Sequence, residues 1–238
     1  MMSRTVLMVA VCSALLGAIS TNLDAQEARW LRYPVISPDS STIVFTYRGD
    51  LWTVPSVGGK ATPLTLHEAY DTSPVWSRDG SKIAFASDRY GNFDIWVMPA
   101  EGGKPRRLTY HSANDTPTAF APDDSAILFS SERMDSVTNV QFPTGAVPEL
   151  SGVQPELYAV SLEGGMPEQV LSTPAIYAVP DANGERIAYS DLKGYEDKFR
   201  KHDDSSFARD IWMYHVASGT HTRVTDFGHD DRQPVWGP

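Results

Sequence analysis

Short stretches in which apolar and polar residues alternate recur along most of this chain, with turn-forming residues between them. Residues 75–109 contain four such stretches in succession. Asp79-Gly80 favours a tight hairpin after the first stretch, because glycine adopts a positive φ without strain. Residues 82–87 alternate large and small apolar side chains, whereas residues 94–98 are apolar throughout, as in a strand covered on both faces. This segment is predicted to form a four-stranded antiparallel sheet.

The same order of strands and turns recurs along the chain. An acidic, an apolar and an aromatic residue form a triplet that ends at Trp52, Trp96, Tyr158 and Trp212, and a Gly-Gly or Ser-Gly turn comes after each triplet. These aromatic residues lie 44, 62 and 54 residues apart. The first spacing is close to the roughly 40–45 residues of one β-propeller blade. The longer two spacings indicate insertions, which the turn-forming residues place at 132–154 and 192–209 as long loops.

The repeat predicts an all-β fold, a β-propeller of four-stranded antiparallel blades. We expect four blades, at about residues 28–66, 67–110, 111–171 and 172–225, and the first strand of a fifth at 226–238. Propellers close into rings that protect their sheet edges. We therefore expect the chain to continue beyond Pro238 into a six- or seven-bladed ring. The alternative is closure by the last strand completing the first blade.

Residues 1–25 differ from the repeat and are predicted to be a secretory signal peptide. Arg4 precedes a short apolar run, residues 6–19, and Leu23-Asp24-Ala25 resembles a cleavage site before Gln26. The run is shorter than the ~20 residues that span a bilayer, so a membrane anchor is disfavoured. We expect a periplasmic or secreted protein without membrane insertion after cleavage.

Composition and charge narrow the function classes. The chain has 238 residues and a formal net charge of −10, which disfavours nucleic acids and anionic membranes as partners. Cys12 is the only cysteine and lies in the predicted signal peptide. The mature chain is therefore expected to lack disulfides, thiolate metal sites and a cysteine nucleophile.

One rim of the predicted propeller collects the long loops and the connections between blades, and we expect any ligand or partner to bind there. The candidate residues on this rim are His67, His111, Tyr195, Phe199, Arg200, His202 and His229. Three of the histidines each precede an aspartate, namely Asp71, Asp115 and Asp231. Equivalent positions of successive blades lie too far apart to share one metal ion, so we interpret each of these aspartates as a turn cap.

No catalytic, cofactor or metal site is predicted from the residues. His202, Asp203 and Ser205 suggest a hydrolase triad, but the chain has no G-x-S-x-G elbow. The aspartates of the first hairpins, Asp39, Asp79 and Asp123, are single turn carboxylates, whereas calcium requires six to eight oxygens.

The units resemble the repeats of TolB and tricorn-type propellers. The motifs are S-P-D-x-x-x-I-x-F from Ser37, S-x-D-G-x-x-I-A-F from Ser77, D-I-W, and G-G-x-x-x-x-L-T, over about residues 30–238. Arg200-Lys201-His202, with residues 208–212 and 230–236, is more specifically similar to the N-terminal propeller of exported tricorn-like serine proteases. That resemblance implies two propellers, a PDZ module and a catalytic domain in the full-length protein, with the propellers gating and guiding peptides. None of the family's catalytic motifs is in this sequence.

The resemblance implies two candidate functions. The first is the non-catalytic propeller region of a tricorn-like serine peptidase, whose partners are peptide or protein substrates or downstream domains of the same chain. The second is a TolB-like periplasmic protein-binding propeller. A propeller of the dipeptidyl-peptidase type is a weaker third alternative, and homo-oligomerisation is left open.

Overall fold

The computed structural model describes residues 30–133, 154–191, 209–226 and 230–237. The predicted signal peptide, most of both insertions, and the candidate residues Tyr195, Phe199, Arg200, His202 and His229 lie outside these ranges. Within the described ranges there is no helix long and apolar enough to cross a membrane.

The described residues form sixteen strands in four antiparallel sheets, each built from four consecutive strands. The first sheet contains β1 (Arg32–Ile36), β2 (Thr42–Tyr47), β3 (Asp50–Pro55) and β4 (Thr62–Pro63). The second contains β5 (Asp71–Trp76), β6 (Lys82–Ser87), β7 (Asp94–Pro99) and β8 (Arg106–Arg107). The third contains β9 (Asp115–Phe120), β10 (Ala126–Ser131), β11 (Glu156–Ser161) and β12 (Glu168–Leu171). The fourth contains β13 (Ile176–Pro180), β14 (Arg186–Ser190), β15 (Ile211–His215) and β16 (Thr220–Arg223). The all-β prediction of four-stranded antiparallel blades is confirmed.

The hydrophobic core lies between the sheets, and the central strands of the second and third sheets each contribute to two layers of it. In β6, Ile83 and Phe85 pack with Val44 of the first sheet, whereas Ala84 faces Phe129 of the third. A further layer joins the third and fourth sheets through Leu157, Tyr189 and Trp212. Burial on both faces is why β7 is apolar without alternation.

The aspartate in the first hairpin of each of the first three sheets caps its own turn. In the second sheet, Asp79 Oδ1 accepts hydrogen bonds from Ser77 Oγ at 2.7 Å and from the Ser81 amide at 2.8 Å. The hydrogen bonds from Ser77 and Ser81 lower the pKa of the Asp79 carboxyl to about 2. Gly80 adopts φ 71°, as its place in the turn requires. Ser37 and Ser125 likewise lower the pKa of Asp39 and Asp123.

The first hairpins also hold neighbouring sheets together. Asp124, in the hairpin of the third sheet, accepts hydrogen bonds from the backbone amides of Arg78 and Asp79 at 2.8 and 2.9 Å. Between the third and fourth sheets, Gly184 lies so close to Pro122 that an added Cβ would be 3.1 Å from the proline Cγ. The turn residues of the repeat therefore serve the packing between sheets as well as the turns.

A threonine closes one end of the first, second and fourth sheets, and it is buried in the first two of these. The first or second amide of the third strand donates to the hydroxyl of a threonine that comes just after the fourth strand: Leu51 to Thr65, Ile95 to Thr109 and Ile211 to Thr225, each at 2.9 Å. We call this contact the threonine latch. The latch explains the spacing between the D-I-W triplet and the L-T pair of the repeat, because the start of the third strand must meet the threonine that follows the fourth strand.

Residues 230–237 repeat two features of the first strands. Gln233 has φ 56°, as Tyr33, Ser73 and Tyr177 have φ of 51°, 52° and 54° in their own sheets. The indole of Trp236 donates to the carbonyl of Val179 at 3.1 Å, just as Trp76 donates to Val35 at 3.3 Å. These residues therefore lie beside the fourth sheet in the way that the first strand of the second sheet lies beside the first sheet.

Replacing the latch hydroxyl with a methyl group should destabilise the protein. In Thr109→Val the side chain keeps its volume, but the Ile95 amide loses its partner inside a fully buried site. We expect the free energy of unfolding in urea to fall by about 1–3 kcal/mol. Thr62→Val, at an exposed position of β4, is the control and should change the free energy of unfolding by about 0.5 kcal/mol or less. Equal effects of the two substitutions would contradict the role given to the latch.

Candidate functional site

The connections between sheets and the loops between second and third strands meet at one edge of the molecule. Around the second sheet these segments are 66–70, 88–93 and 110–114, and we call them together the connection rim. The Tyr70 amide donates to Asp88 Oδ1 at 2.7 Å, which ties the first connection to the loop. Asn92 Nδ2 donates to the carbonyls of His111 and Ala113, each at 2.9 Å, which ties the second connection to it.

The two described candidate histidines lie on this rim in equivalent positions. His67 Nδ1 accepts a hydrogen bond from the Ala69 amide, and His111 Nδ1 accepts one from the Ala113 amide, both at 3.0 Å. Both side chains are on the surface. Within the described part of the chain, no three His, Cys, Asp or Glu residues form a group that could hold a metal ion.

The interpretation of Asp71 and Asp115 as turn caps is wrong. Both are fully buried, and each carboxylate pairs with an arginine that lies just after the second strand of its own sheet. Arg89 lies 2.7 Å from Asp71 Oδ2, and Arg133 lies 2.8 Å from Asp115 Oδ2. The turn is capped by the histidine instead. A buried carboxylate requires a paired charge, and the arginine supplies it.

The same arginines also cover the aromatic residues of the central strands. Arg89 lies over the Trp96 ring with its Cζ 4.9 Å from the ring centroid. Arg133 lies over Phe129 and Tyr158 at 5.1 and 5.2 Å. A guanidinium at this distance is attracted to the ring and is shielded from water by it. Each arginine therefore joins the first strand, the second strand and the aromatic core at the rim.

A second type of ion pair joins the third strand to the fourth. Asp94 Oδ2 lies 2.7 Å from Arg107, and Asp210 Oδ2 lies 2.5 Å from Arg223. Burial raises the pKa of the Asp94 carboxyl, and the Arg107 guanidinium opposes that shift. The acidic residue of the D-I-W triplet thus holds the fourth strand of its sheet through an ion pair.

Tyr90 and Tyr110 lie on either side of Arg107 on the surface of the connection rim. The Arg107 Cζ lies 4.5 Å from the ring centroid of each tyrosine. Tyr90 is also stacked on Trp96, with centroids 6.0 Å apart and planes 9° apart. The two tyrosines remain 68% and 72% exposed. Leu66 and Tyr70 are further exposed apolar side chains of the connection rim. The rim therefore offers aromatic rings and hydrogen-bonding groups, which suit binding.

Comparison with known proteins identifies the family. Residues 28–237 match the family described as the Tricorn protease N-terminal beta propeller domain. This chain belongs to that family.

Two solved structures show the same fold as this tricorn-type propeller. The crystal structure of TolB from Acinetobacter baumannii aligns with a TM-score of 0.58 and 16% identity, over 82% of this chain and 43% of that chain. The crystal structure of the tricorn protease aligns with a TM-score of 0.57 and 15% identity, over 81% of this chain and 22% of that chain. At these identities the likeness concerns the fold alone. This propeller chain spans less than half the length of either protein.

Sequence reasoning missed Tyr90, Arg107 and Tyr110 of this propeller, although the repeat contains a signal for one of them. The residue after the latch threonine is Leu66 in the first sheet, Tyr110 in the second and Asp226 in the fourth. A comparison of blades at this position shows that the second blade alone among these three has an aromatic residue there. The stacking of Tyr90 on Trp96 has no such signal, because it depends on the path of a loop.

Breaking one buried ion pair should cost far more than breaking an exposed one. In Arg133→Ala the Asp115 carboxylate stays buried without its partner, and we expect the free energy of unfolding to fall by about 3–5 kcal/mol. Asp115→Ala in the same chain should recover part of that loss, because no buried charge is then left. Arg186→Ala removes a pair whose arginine is 45% exposed and whose aspartate, Asp181, keeps hydrogen bonds from the backbone amides of residues 185 and 186, so it should cost about 1 kcal/mol or less. Chemical denaturation monitored by tryptophan fluorescence measures all three. If the single and double variants unfolded alike, the account of this pair would be wrong.

Proposed function

We propose that this chain is the non-catalytic propeller region of a tricorn-like serine peptidase, and that its connection rim guides peptide substrates toward a catalytic domain of the same protein. The observation that carries the proposal is the match of residues 28–237 to the Tricorn protease N-terminal propeller family. The proteolysis itself belongs to the full-length protein in this proposal, since no catalytic residue is assigned to this chain.

The structure of the rim supports a role in guiding peptides. Its connections are fixed by hydrogen bonds of 2.7–2.9 Å from Tyr70 and Asn92, so the surface is formed before a ligand arrives. Preorganised surfaces bind with a smaller loss of conformational entropy. Exposed apolar side chains also concentrate there, namely Leu66, Tyr70, Tyr90 and Tyr110. Residues of this kind commonly line protein-binding surfaces.

The proposal includes export from the cytoplasm. The n-region, apolar run and cleavage site predicted at residues 1–25 support it, and the periplasm or the extracellular medium is the proposed location.

The second candidate is a TolB-like periplasmic propeller that binds a protein partner through the same rim. The likeness of the fold to TolB from Acinetobacter baumannii favours keeping it. The two candidates differ in their domain composition, because only the first requires a serine peptidase domain in the full-length protein.

A pair of matched substitutions in the full-length protein tests the guiding role. Leu66 and Val57 both lie next to strands of the first sheet and are 78% and 95% exposed. Leu66 is on the connection rim, whereas Val57 is on the turn between the third and fourth strands. We expect Leu66→Asp to lower kcat/KM for an unfolded polypeptide by about fivefold or more, and to leave hydrolysis of a short peptide ester unchanged. Val57→Asp should affect neither substrate.

Two results would overturn the proposal. One is unchanged cleavage of the unfolded polypeptide by Leu66→Asp, because the connection rim would then not guide that substrate. The other is a full-length protein without a serine peptidase domain, which would leave the TolB-like candidate.

A further inference from the structure

Tyr90 and Tyr110 form a pair of aromatic rings that remain largely exposed in the folded protein. Both rings are more than two-thirds exposed, although large aromatic side chains are usually buried for much of their area. The fold does not require an aromatic residue at the position of Tyr110, since Leu66 and Asp226 occupy the equivalent position in two other sheets. We propose that the two tyrosines bind a proline-rich peptide segment in the polyproline II conformation. This deepens the proposed function, on which it rests, by naming a class of peptide.

The pair is held rigidly, which is the first argument for a binding role. Between the rings, the Arg107 guanidinium is fixed by Asp94 at 2.7 Å and by the carbonyl of Thr109 at 2.8 Å. The Tyr110 hydroxyl donates to the Arg107 carbonyl at 3.3 Å, and Tyr90 stacks on Trp96. Rigid aromatic side chains lose little conformational entropy when a ligand packs on them.

The spacing of the rings is the second argument. Each ring centroid lies 4.5 Å from the same Cζ atom, so the two centroids are at most about 9 Å apart. A polyproline II helix rises ~3.1 Å per residue with three residues per turn, so side chains on one face repeat every ~9 Å. At a separation near this limit, Tyr90 and Tyr110 would each contact one proline ring of the same face. Aromatic residues that line a groove are a common means of recognising such segments.

Charge is the third argument, and it favours an uncharged ligand. The chain has a formal charge of −10, but the arginines at the tyrosine pair are each matched by an aspartate, Arg107 by Asp94 and Arg89 by Asp71. Glu68 and Asp88 lie on the same rim, so the surface around the tyrosine pair disfavours an acidic ligand. A proline segment has no charge to desolvate and already has few conformations when free, so it loses little entropy on binding.

Fluorescence anisotropy with a labelled peptide tests the proposal. The probe is a capped polyproline peptide of about twelve residues, and the control probe is a Gly-Ser peptide of the same length. We expect the full chain to bind polyproline at least about tenfold more tightly than the control peptide. Tyr90→Ala and Tyr110→Ala should each weaken polyproline binding by about tenfold or more, whereas Tyr90→Phe should retain it. Met166→Ala, at an exposed apolar residue outside the rim, should have no effect.

Three results would contradict the inference, and a fourth separates it from the guiding function. Equal binding of the two peptides would show that the rim does not select proline, yet guiding of peptides in general would stand. Unchanged binding in both alanine variants would place the site elsewhere. Self-association of the chain that the alanine variants abolish would make the tyrosine pair an interface between two copies. If polyproline binds as expected but Leu66→Asp leaves polypeptide cleavage intact, the guiding function fails and the peptide site stands.

Discussion

The threonine latch is the contact on which the architecture of the first, second and fourth sheets depends. The Ile95 amide, near the start of the third strand, points toward an outer strand of only two residues, which ends before it can supply a backbone acceptor. In this buried setting the hydroxyl of Thr109 provides the missing acceptor at 2.9 Å. The chain therefore returns from its short outer strand to the point where the third strand began. The connection to the next sheet starts from this fixed position. The latch therefore ends the fourth strand of one sheet and fixes where the chain leaves for the next sheet.

The buried ion pairs extend this arrangement from one sheet to the next. Asp115 begins the third sheet, and its amide donates to the Phe93 carbonyl of the second at 2.8 Å. Its carboxylate is buried at the same junction and is matched by Arg133. Burying two charges is costly, and an apolar pair often gives equal or greater stability. The pair instead fixes orientation, because a guanidinium that must meet both a carboxylate and two aromatic rings has few allowed positions. The result is a rim whose connections have a defined path.

Much of the fold can be predicted from the sequence because the signals repeat and are local. The turn at Asp79-Gly80, the alternation in β6 and the continuous apolar run in β7 each indicate their structure within a few residues. The roles of Asp71 and Asp115 could not be predicted in this way. Their partners lie 18 residues further along the chain, and an aspartate beside a turn is more commonly a cap. The tyrosine pair depends on how the 88–93 loop folds back on Trp96, which no periodicity encodes.

Amide hydrogen exchange tests most directly whether the connection rim is a preformed, rigid surface. The amides of Tyr70 and Phe93 are on the rim and donate to the side chains of Asp88 and Asn114 at 2.7 and 3.1 Å. If the rim is rigid, these two amides should exchange nearly as slowly as that of Ile95 in the buried strand, because all three would require an opening of the sheet. Exchange of Tyr70 and Phe93 at the rate of an unstructured peptide, with Ile95 still protected, would contradict the account.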